Sequence, residues 1–356
     1  MSWKLVNDTR SLKRGRLVDL GWVQATAMMA CGTLRVTIDV ARNERRPFKI
    51  ISFKKSDGWP RSFEMYHNAD GSVSVEHTQG DDRRYVRVSG LAERAERLQI
   101  SYCWDAPERA GALAVEYLET GAIARAEFEN PFPILATDAV EMSAIGSHCQ
   151  HDSTLQAVTL ADDIRPIGPA PGIAAGTKIM TSDGYRAIEN LRPGDMVLTE
   201  RNGPQAIRFI VSEDCPSVGP SLPVKLRAPY FGLGADVVVS SCQHVQLPSA
   251  HADYLLGRDR VLVEAGQLLM HSGAEIVDHQ ATTKQFQLLL DQPDCIDASG
   301  MWVESLYVGQ LARAADILPA TRFAELSGTQ MPTHENPTCA PLSKYEAQSL
   351  IDDMVA

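Results

Sequence analysis

The amino-acid sequence predicts an all-β protein: an antiparallel β-sandwich, followed by a second β-rich fold, with short helices near the C-terminus. Apolar and polar residues alternate with period two along many short segments, which is the pattern of strands that bury one face and expose the other. Turn-forming residues such as Asn68–Gly71 and Glu119–Gly121 separate these segments, since glycine adopts positive φ and Asn bonds the local backbone. The 356 residues leave room for about two domains.

The first third of the chain carries the sandwich pattern. Its alternating segments follow one another at intervals of about 10–14 residues, which is typical of a sandwich or jelly roll with about eight strands. Trp59 and Tyr66 fall outside these segments, so we expect them in or beside loops. The expected strands are Leu34–Val40, Phe48–Phe53, Ser72–His77, Tyr85–Ser89, Leu98–Trp104, Leu113–Leu118 and Ala122–Phe128.

A proline-rich stretch follows the sandwich. Pro166, Pro169 and Pro171 fix φ and remove backbone donors, so they favour a stiff linker. We therefore expect four parts, which are a β-sandwich over 1–165, a linker over 166–171, a second domain over 172–310 and a C-terminal extension with short helices over 311–356.

The short-strand pattern returns after Thr177. A helical turn is expected near Tyr254–Leu256 or within Val261–Leu268, and helices are expected at Ala312–Leu318 and Ser343–Met354. The expected strands are Lys178–Thr181, Arg186–Ile188, Met196–Thr199, Ala206–Val211, Pro223–Arg227, Asp236–Val239, Val245–Leu247, Phe286–Leu290 and Met301–Leu306.

The charge balance argues against nucleic acid as a partner. The chain has a net charge of −11, and a nucleic-acid-binding surface is basic. The two halves differ: residues 1–165 carry 21 basic and 23 acidic side chains, whereas residues 166–356 carry 13 and 22. Such an asymmetry is consistent with two separately built domains.

Three further features bear on the compartment. The N-terminus, Met1–Leu20, has no apolar core of a secretory signal, and the apolar stretch Ala25–Ala30 is too short for a membrane span. The seven cysteines are irregularly spaced without a CxxC pair, which argues against a disulfide framework. We expect a protein that is cytoplasmic, or exported without an N-terminal signal peptide.

The second half contains a recognisable motif series. GTKIMTSDGYRAIENLRPGDMVLT spans residues 176–199, and PQAIR (204–208), PVKLRA (223–228), VVSSCQH (238–244), YLLGRDRVLV (254–263), FQLLLD (286–291) and Glu304-Ser305 follow in order. This series resembles the Hint fold of hedgehog autoprocessing domains and inteins, and more narrowly the bacterial stand-alone Hint subfamily, over about 172–309. The resemblance implies a β-disk that cleaves its own chain.

The resemblance also implies where the chemistry would lie. In the family, a Cys or Ser opens the domain and attacks the preceding peptide carbonyl in an N-to-S or N-to-O acyl shift. The family spacing puts this nucleophile at Gly172, or at Ile173 with the hedgehog spacing, and neither residue has an O or S atom in its side chain. The family histidine, which helps the scissile amide leave, matches His244 in Ser241–His244.

Other family positions are also altered. Subfamily members often have a His just before the apolar run that ends in Asp291, and here those positions are Phe286 and Gln287. A further His two residues after that Asp is Pro293. Asp291 is therefore interpreted either as part of a polar network or as a residue that ends a strand.

Cys242 offers an alternative nucleophile. If residues 242–244 lie on one extended strand, Cys242 and His244 share a face, and a Cys–His pair can act as a nucleophile. The structural alternatives are a buried, inert Cys242 and a His244 that only links two strands.

No cofactor or metal is predicted. His148–His151 is the densest group of metal-ligand side chains, but its residues are too close in sequence for a closed zinc site without ligands from elsewhere, so we interpret it as a polar loop. The sequence contains no GxxxxGK[ST], GxGxxG, HExxH or GxSxG motif.

The sandwich half weakly resembles laminin-G and concanavalin-like folds, through the Leu98–Asp105 strand and the Leu113–Gly121 hairpin. That resemblance implies a glycan or protein ligand. The charged stretches Arg42–Arg46 with Lys49, Lys54 and Lys55, and Asp81–Arg84, are interpreted as a solvated outer face, with acidic-glycan or nucleic-acid binding as the alternative.

Two functional hypotheses result. In the first, the chain is a Hint-domain protein whose processing site lacks its nucleophile, and it acts as a non-catalytic binding or scaffolding protein with a lectin-like N-terminal module. In the second, it is a self-processing protein that cleaves near Pro171–Ile173 through His244 and an unusual nucleophile.

Overall fold

The structure is a computed structural model that describes residues 3–8, 16–17, 27–41, 46–89, 96–247, 261–277, 280–314, 316–326, 331–335, 338 and 341–355. It confirms the all-β prediction, since about 50% of the residues lie in strands and 12% in helices. The expected turn at Tyr254–Leu256 and the basic residues 42–45 lie outside the described residues. The chain folds as two compact units: Met1–Gly168 with Pro319–Thr321, and Pro169–Leu318 with Arg322–Ala356.

The first unit is a sandwich of two antiparallel sheets. Its strands are β1 (Trp3–Asp8), β2 (Arg16–Leu17), β3 (Met28–Met29), β4 (Cys31–Asp39), β5 (Phe48–Lys55), β6 (Arg61–His67), β7 (Val73–Gln79), β8 (Asp82–Val88), β9 (Arg97–Asp105), β10 (Ala110–Tyr117), β11 (Ala122–Glu129), β12 (Ile134–Leu135), β13 (Cys149–His151) and β14 (Leu155–Ala161). The larger sheet has the order β11-β10-β9-β4-β14-β1-β2, and the smaller has the order β13-β5-β6-β7-β8. A short pair, β12-β3, and the helix α1 (Ala136–Met142) complete the unit.

Period-two alternation explains the packing of this unit. Phe53, Phe63, Val75 and Val86 come from the four neighbouring strands β5–β8, and all are buried in one hydrophobic core. Their sequence neighbours point to the opposite face of the sheet. Buried strand residues such as Tyr102 belong to the same core, so the sandwich is held mainly by apolar burial between its sheets.

Seven strands of the sandwich were not expected from the sequence: β1, β2, β3, β6, β12, β13 and β14. β6 carries Tyr66, so the expectation that this residue lies in or beside a loop is wrong. β14 lies between β4 and β1 in the larger sheet. Apolar residues occupy both of its faces, so it lacks the alternation of apolar and polar residues by which a strand is recognised in the sequence.

The second unit contains two further antiparallel sheets. Its strands are β15 (Ile173–Ala174), β16 (Lys178–Thr181), β17 (Gly184–Ala187), β18 (Met196–Thr199), β19 (Gly203–Ala206), β20 (Phe209–Pro216), β21 (Pro223–Leu226), β22 (Val237–Ser240), β23 (His244–Leu247), β24 (Val261–Glu264), β25 (Ala274–Ile276), β26 (Thr282–Leu289), β27 (Cys295–Ala298) and β28 (Met301–Glu304). One sheet has the order β20-β26-β15-β22-β21-β25. The other has the order β17-β16-β18-β27-β28-β23-β24, with β19 paired to β18.

Helical segments are short in this unit. The 3-10 helices are Ile188–Asn190, Gly219–Ser221, Tyr230–Gly232, Ala265–Met270, Gly309–Arg313 and Leu318–Ala320. The one at Ala265–Met270 confirms the helical turn expected within Val261–Leu268. The helix expected at Ala312–Leu318 is not continuous: the 3-10 helices Gly309–Arg313 and Leu318–Ala320 cover its two ends, and the described residues between them, 314 and 316–317, are not helical.

The C-terminal helix α2 (Lys344–Val355) confirms the helix expected at Ser343–Met354. Ser343 starts it with a capping box, since its Oγ accepts the Glu346 N–H at 3.3 Å and its own N–H donates to Glu346 Oε2 at 2.9 Å. Ala347 and Leu350 are buried in the core of the second unit. The helix is therefore part of that core.

The next two observations concern membrane-spanning helices and disulfides within the described residues. Within the part of the chain that the structure describes, no helix is long and apolar enough to span a bilayer. No disulfide joins any two of the six cysteines described, Cys31, Cys103, Cys149, Cys215, Cys242 and Cys295.

Candidate functional site

Residue 172 lies in the middle of the six-stranded sheet. Ile173 of β15 pairs with Val239 of β22 on one side and with Phe286 of β26 on the other. The Gly172 N–H donates to the Phe286 carbonyl at 3.3 Å, and the Ser240 N–H donates to the Gly172 carbonyl at 2.7 Å. The backbone of Gly172 is therefore fixed between two strands.

The space beside the Cα atom of Gly172 is filled by other side chains. A Cβ atom built at this position would overlap the side-chain amide oxygen of Gln243 and would lie 2.9 Å from Ser240 Oγ. It would also lie 3.2 Å from Gln243 Cβ. A Cys or Ser at position 172 therefore requires Gln243 to move.

Gln243 is held in this place by its own hydrogen bonds. It is 6% exposed, and its Nε2 donates to the His244 carbonyl at 3.2 Å and to the Glu304 carbonyl at 3.0 Å. Gln287 donates to the same Glu304 carbonyl at 3.1 Å. Two buried amides thus converge on one backbone oxygen, and this links β23, β26 and β28.

His244 is paired with a carboxylate. Its Nδ1 lies 2.6 Å from Glu304 Oε2, and both side chains are largely buried. A neutral imidazole that donates through Nδ1 keeps its basic lone pair on Nε2, so the pair fixes both the tautomer and the ring orientation. The arrangement can therefore orient a proton acceptor, or it can act as a bridge between β23 and β28.

The remaining predicted site residues have other environments. Ser241 Oγ donates to the Gly219 carbonyl at 2.8 Å and so closes a turn. β23 begins at His244, and Cys242 lies in the turn before it, so the argument that an extended strand places Cys242 beside His244 is wrong. Asp291 follows β26 and forms an exposed ion pair with Arg208 at 2.6 Å.

Comparison with protein-family models identifies the second unit. Residues 171–310 match the family model of the Hint domain. This match supports the resemblance that the motif series indicated over about 172–309. The matched region begins one residue before Gly172, the position that the motif resemblance predicts for the nucleophile. No curated protein sequence matches the chain significantly.

Solved structures similar to this chain include two from sialidases. The IT-sialidase CBM40 of Ruminococcus gnavus, bound to α2,3-sialyllactose, is 12% identical, with a TM-score of 0.31 over 46% of this chain and 93% of that chain. The leech intramolecular trans-sialidase is 12% identical, with a TM-score of 0.28 over 44% of this chain. The match spans 28% of the length of the leech enzyme.

Two residues of the Hint site were not identified as site residues from the sequence. Gln243 occupies an unspecified position of the Ser241–His244 motif, and Glu304 belongs to the last block of the motif series, so neither was assigned a role. The pairing of β23 with β28, through Val245 and Val303, is what brings Glu304 to His244. Period-two alternation alone does not reveal which strands pair, so these contacts require the structure.

The His148–His151 group is not the polar loop that we expected. Cys149–His151 forms β13, which pairs with β5 at the edge of the smaller sheet of the sandwich. Burial raises the pKa of the Cys149 thiol to about 12, so this side chain stays protonated at neutral pH. Among the described residues, no group of three or more Cys, His, Asp or Glu side chains is arranged to hold a metal ion.

Proposed function

We propose that the Hint domain of this protein does not cleave its own chain, and that the protein functions by binding through its N-terminal sandwich. The observation that carries the first part is Gly172. The acyl shift needs an oxygen or sulfur nucleophile at the first residue of the domain, and glycine supplies none. Ile173, the position given by the hedgehog spacing, is a fully buried hydrocarbon side chain.

The packing of Gln243 supports the same proposal. Its amide occupies the volume that a nucleophilic side chain would need at residue 172. Two hydrogen bonds hold this amide, so vacating the site costs about 1 kcal/mol for each of them. The site is therefore filled as well as lacking its nucleophile.

The His244–Glu304 pair takes a structural role in this proposal. The pair joins the start of β23 to the end of β28, next to the Glu304 carbonyl that accepts from both Gln243 and Gln287. A polar network of this kind specifies how the strands align.

Intact-mass measurement tests the proposal. The purified full-length chain is incubated with dithiothreitol or hydroxylamine, which trap thioester or ester intermediates by cleaving them. We expect a single species with the mass of the whole chain. A clean break near Pro171–Ile173 would overturn the proposal.

Two variants would then identify the chemistry behind such a break. Loss of cleavage in both Cys242→Ala and His244→Ala would indicate self-processing through an unusual nucleophile. Cleavage that persists in both variants would assign it to another residue. Either result contradicts a non-catalytic Hint domain.

A further inference from the structure

The smaller sheet of the sandwich presents one polar face to solvent. Alternation along β5–β8 sends Phe63 and Val75 into the core and their sequence neighbours outward. We call this surface the outer face, and its residues are Lys49, Ser52, Lys54, Ser62, Glu64, Tyr66, Ser74, Glu76, Thr78, Arg83, Tyr85 and Arg87.

The strand register arranges these side chains in rows across the sheet. Lys49 is opposite Tyr66, Tyr66 is opposite Ser74, and Ser74 is opposite Arg87. In a neighbouring row, Glu76 is opposite Tyr85. Strands are about 4.8 Å apart, so each row is about 14 Å long, the size of a short oligosaccharide.

Glu64 is the ionised centre of the outer face. Lys49 and Lys54 lie 2.8 and 3.0 Å from its Oε1, and Tyr66 donates to its other oxygen. Desolvation alone would raise the pKa of Glu64, but the hydrogen bonds from Lys49, Tyr66 and Lys54 outweigh it and lower the pKa to about 2. Glu64 therefore accepts hydrogen bonds throughout the physiological pH range.

Exposed cations surround this centre. The side chains of Lys54 and Arg83 are 66% and 60% exposed, and that of Arg87 is 46% exposed. Arg83 pairs with Glu76 at 2.6 Å, and Arg87 pairs with Asp70 in the adjacent turn. Four cations thus face three carboxylates, which makes this a locally basic surface on a chain of net charge −11.

The outer side of the larger sheet differs. Thr33 and Ser101 are fully buried there, and Arg35 is 6% exposed. Thr33 Oγ1 donates to the Asp163 carbonyl at 2.8 Å, and Arg35 donates to the Pro166 carbonyl at 2.9 Å. The chain itself covers these groups, whereas the cations of β5–β8 remain accessible to a ligand.

We propose that the outer face binds a carboxylated oligosaccharide. Exposed Arg83 and Arg87 can donate to a sugar carboxylate, and Glu76 can accept from a sugar hydroxyl group, whereas the buried Glu64 orients Lys49, Lys54 and Tyr66. Tyr85, whose side chain is 51% exposed, offers a ring to the apolar side of a sugar. The carboxylates interspersed among the cations would repel the closely spaced charges of a polyphosphate backbone more strongly than the isolated charge of a sugar carboxylate, which favours a sugar over a nucleic acid.

The test uses the full-length chain and acidic probes with neutral counterparts. Calorimetry would compare sialyllactose with lactose and trigalacturonic acid with its methyl ester. We expect at least one acid to bind at least about tenfold more tightly than its counterpart, and to weaken at high salt. Equal affinity within both pairs, no binding by either acid, or tighter binding of a single-stranded RNA would overturn the proposal.

Variants locate the binding surface. The double variant Arg83→Gln, Arg87→Gln should lose at least about tenfold in affinity for the acid, and Tyr85→Ala should weaken both the acid and its neutral counterpart. Arg125→Gln is the matched control, because Arg125 lies on β11 of the other sheet in a similar pair with Glu127 at 2.6 Å. Unchanged binding by the double variant would refute this location.

This inference rests on the proposed function, in which the sandwich is the binding module. Different results would refute the inference and the proposed function. A chain that stays intact but binds neither acid contradicts the inference alone, whereas a break near residue 172 contradicts the non-catalytic Hint domain whatever the sugars do.

Discussion

A double-mutant cycle at Gly172 and Gln243 tests whether the Hint site is filled. Gly172→Ala adds one Cβ atom, which meets the Gln243 amide oxygen and lies 2.9 Å from Ser240 Oγ. Gln243→Ala removes the amide together with its two hydrogen bonds to the carbonyls of His244 and Glu304. If Gln243 fills the nucleophile position, each change should alter the effect of the other.

The magnitudes follow from these contacts. Overpacking a well-filled site typically costs 1–3 kcal/mol, so we expect Gly172→Ala to lower the free energy of unfolding by about 2 kcal/mol. Gln243→Ala should cost about 2 kcal/mol, about 1 for each lost hydrogen bond. The overlap with the amide oxygen disappears in the double variant, whereas the close contacts with Ser240 Oγ and with the Cβ atom of residue 243 remain, so we expect a total of about 3 rather than about 4 kcal/mol.

Urea unfolding of the full-length chain by circular dichroism measures the three free energies. Hydrogen exchange in a peptide over residues 237–243 adds a local measurement, since the Ser240 amide bonds Gly172 directly. Gly176→Ala is the matched control: a Cβ there meets no atom within 4 Å, and its cost comes from a φ of 86°. Its effect should add to that of Gln243→Ala within about 0.5 kcal/mol.

A clear result would refute the reasoning. If Gly172→Ala costs as much in the Gln243→Ala variant as in the unaltered chain, the amide does not restrict this position, and the loss of processing would rest on the missing nucleophile alone.

Three further predictions concern residues buried within one or the other unit. Burial, with a smaller contribution from Arg84, lowers the pKa of His77 to about 4, so the sandwich should lose up to about 3 kcal/mol as the pH falls from 6.5 to 4. His77→Phe should remove this loss, and an unchanged difference between urea midpoints at pH 7 and 4.5 would contradict it. Asp138→Asn removes one of the two carboxylates that pair with the buried Arg61 guanidinium and leaves only the exposed Asp57, so it should cost about 3 kcal/mol by the same assay, whereas a cost below about 1 would show that the pair contributes little. Leu350→Ala should cost about 2–5 kcal/mol, because this 1% exposed side chain of α2 belongs to the Hint-domain core, and a cost near zero would make the helix peripheral.

The sequence predicted those strands in which apolar and polar side chains alternate. β4, β5 and β9 lie where this alternation placed them, although the polar side chains of β4 and β9 are themselves buried. β14 was missed because apolar residues occupy both of its faces, which removes the period. β6 was missed because Arg61 and His67 are polar although they are buried, so only Phe63 and Met65 mark its apolar face.

The sequence predicted only part of the candidate site. Family spacing located Gly172 and His244, and both lie beside the same polar network. Gln243 and Glu304 depend on which strands are neighbours and on how far a side chain reaches, and a one-dimensional pattern contains neither quantity. The assignment of Cys242 failed because a turn interrupts the strand just before His244.

The position of β14 has a consequence for biosynthesis. β1 is translated before the other strands of the sandwich, yet Val6 pairs with Thr159, so its partner in the sheet emerges roughly 150 residues later. At a synthesis rate of about 5–20 residues per second, β14 follows on the order of 10–30 s after β1. During this time β1 and one edge of β4 have unpaired backbone groups. A nascent chain that ends before residue 155 therefore lacks β14 and cannot complete the larger sheet. Once residue 161 has left the ribosome, β14 can pair with β1 and β4.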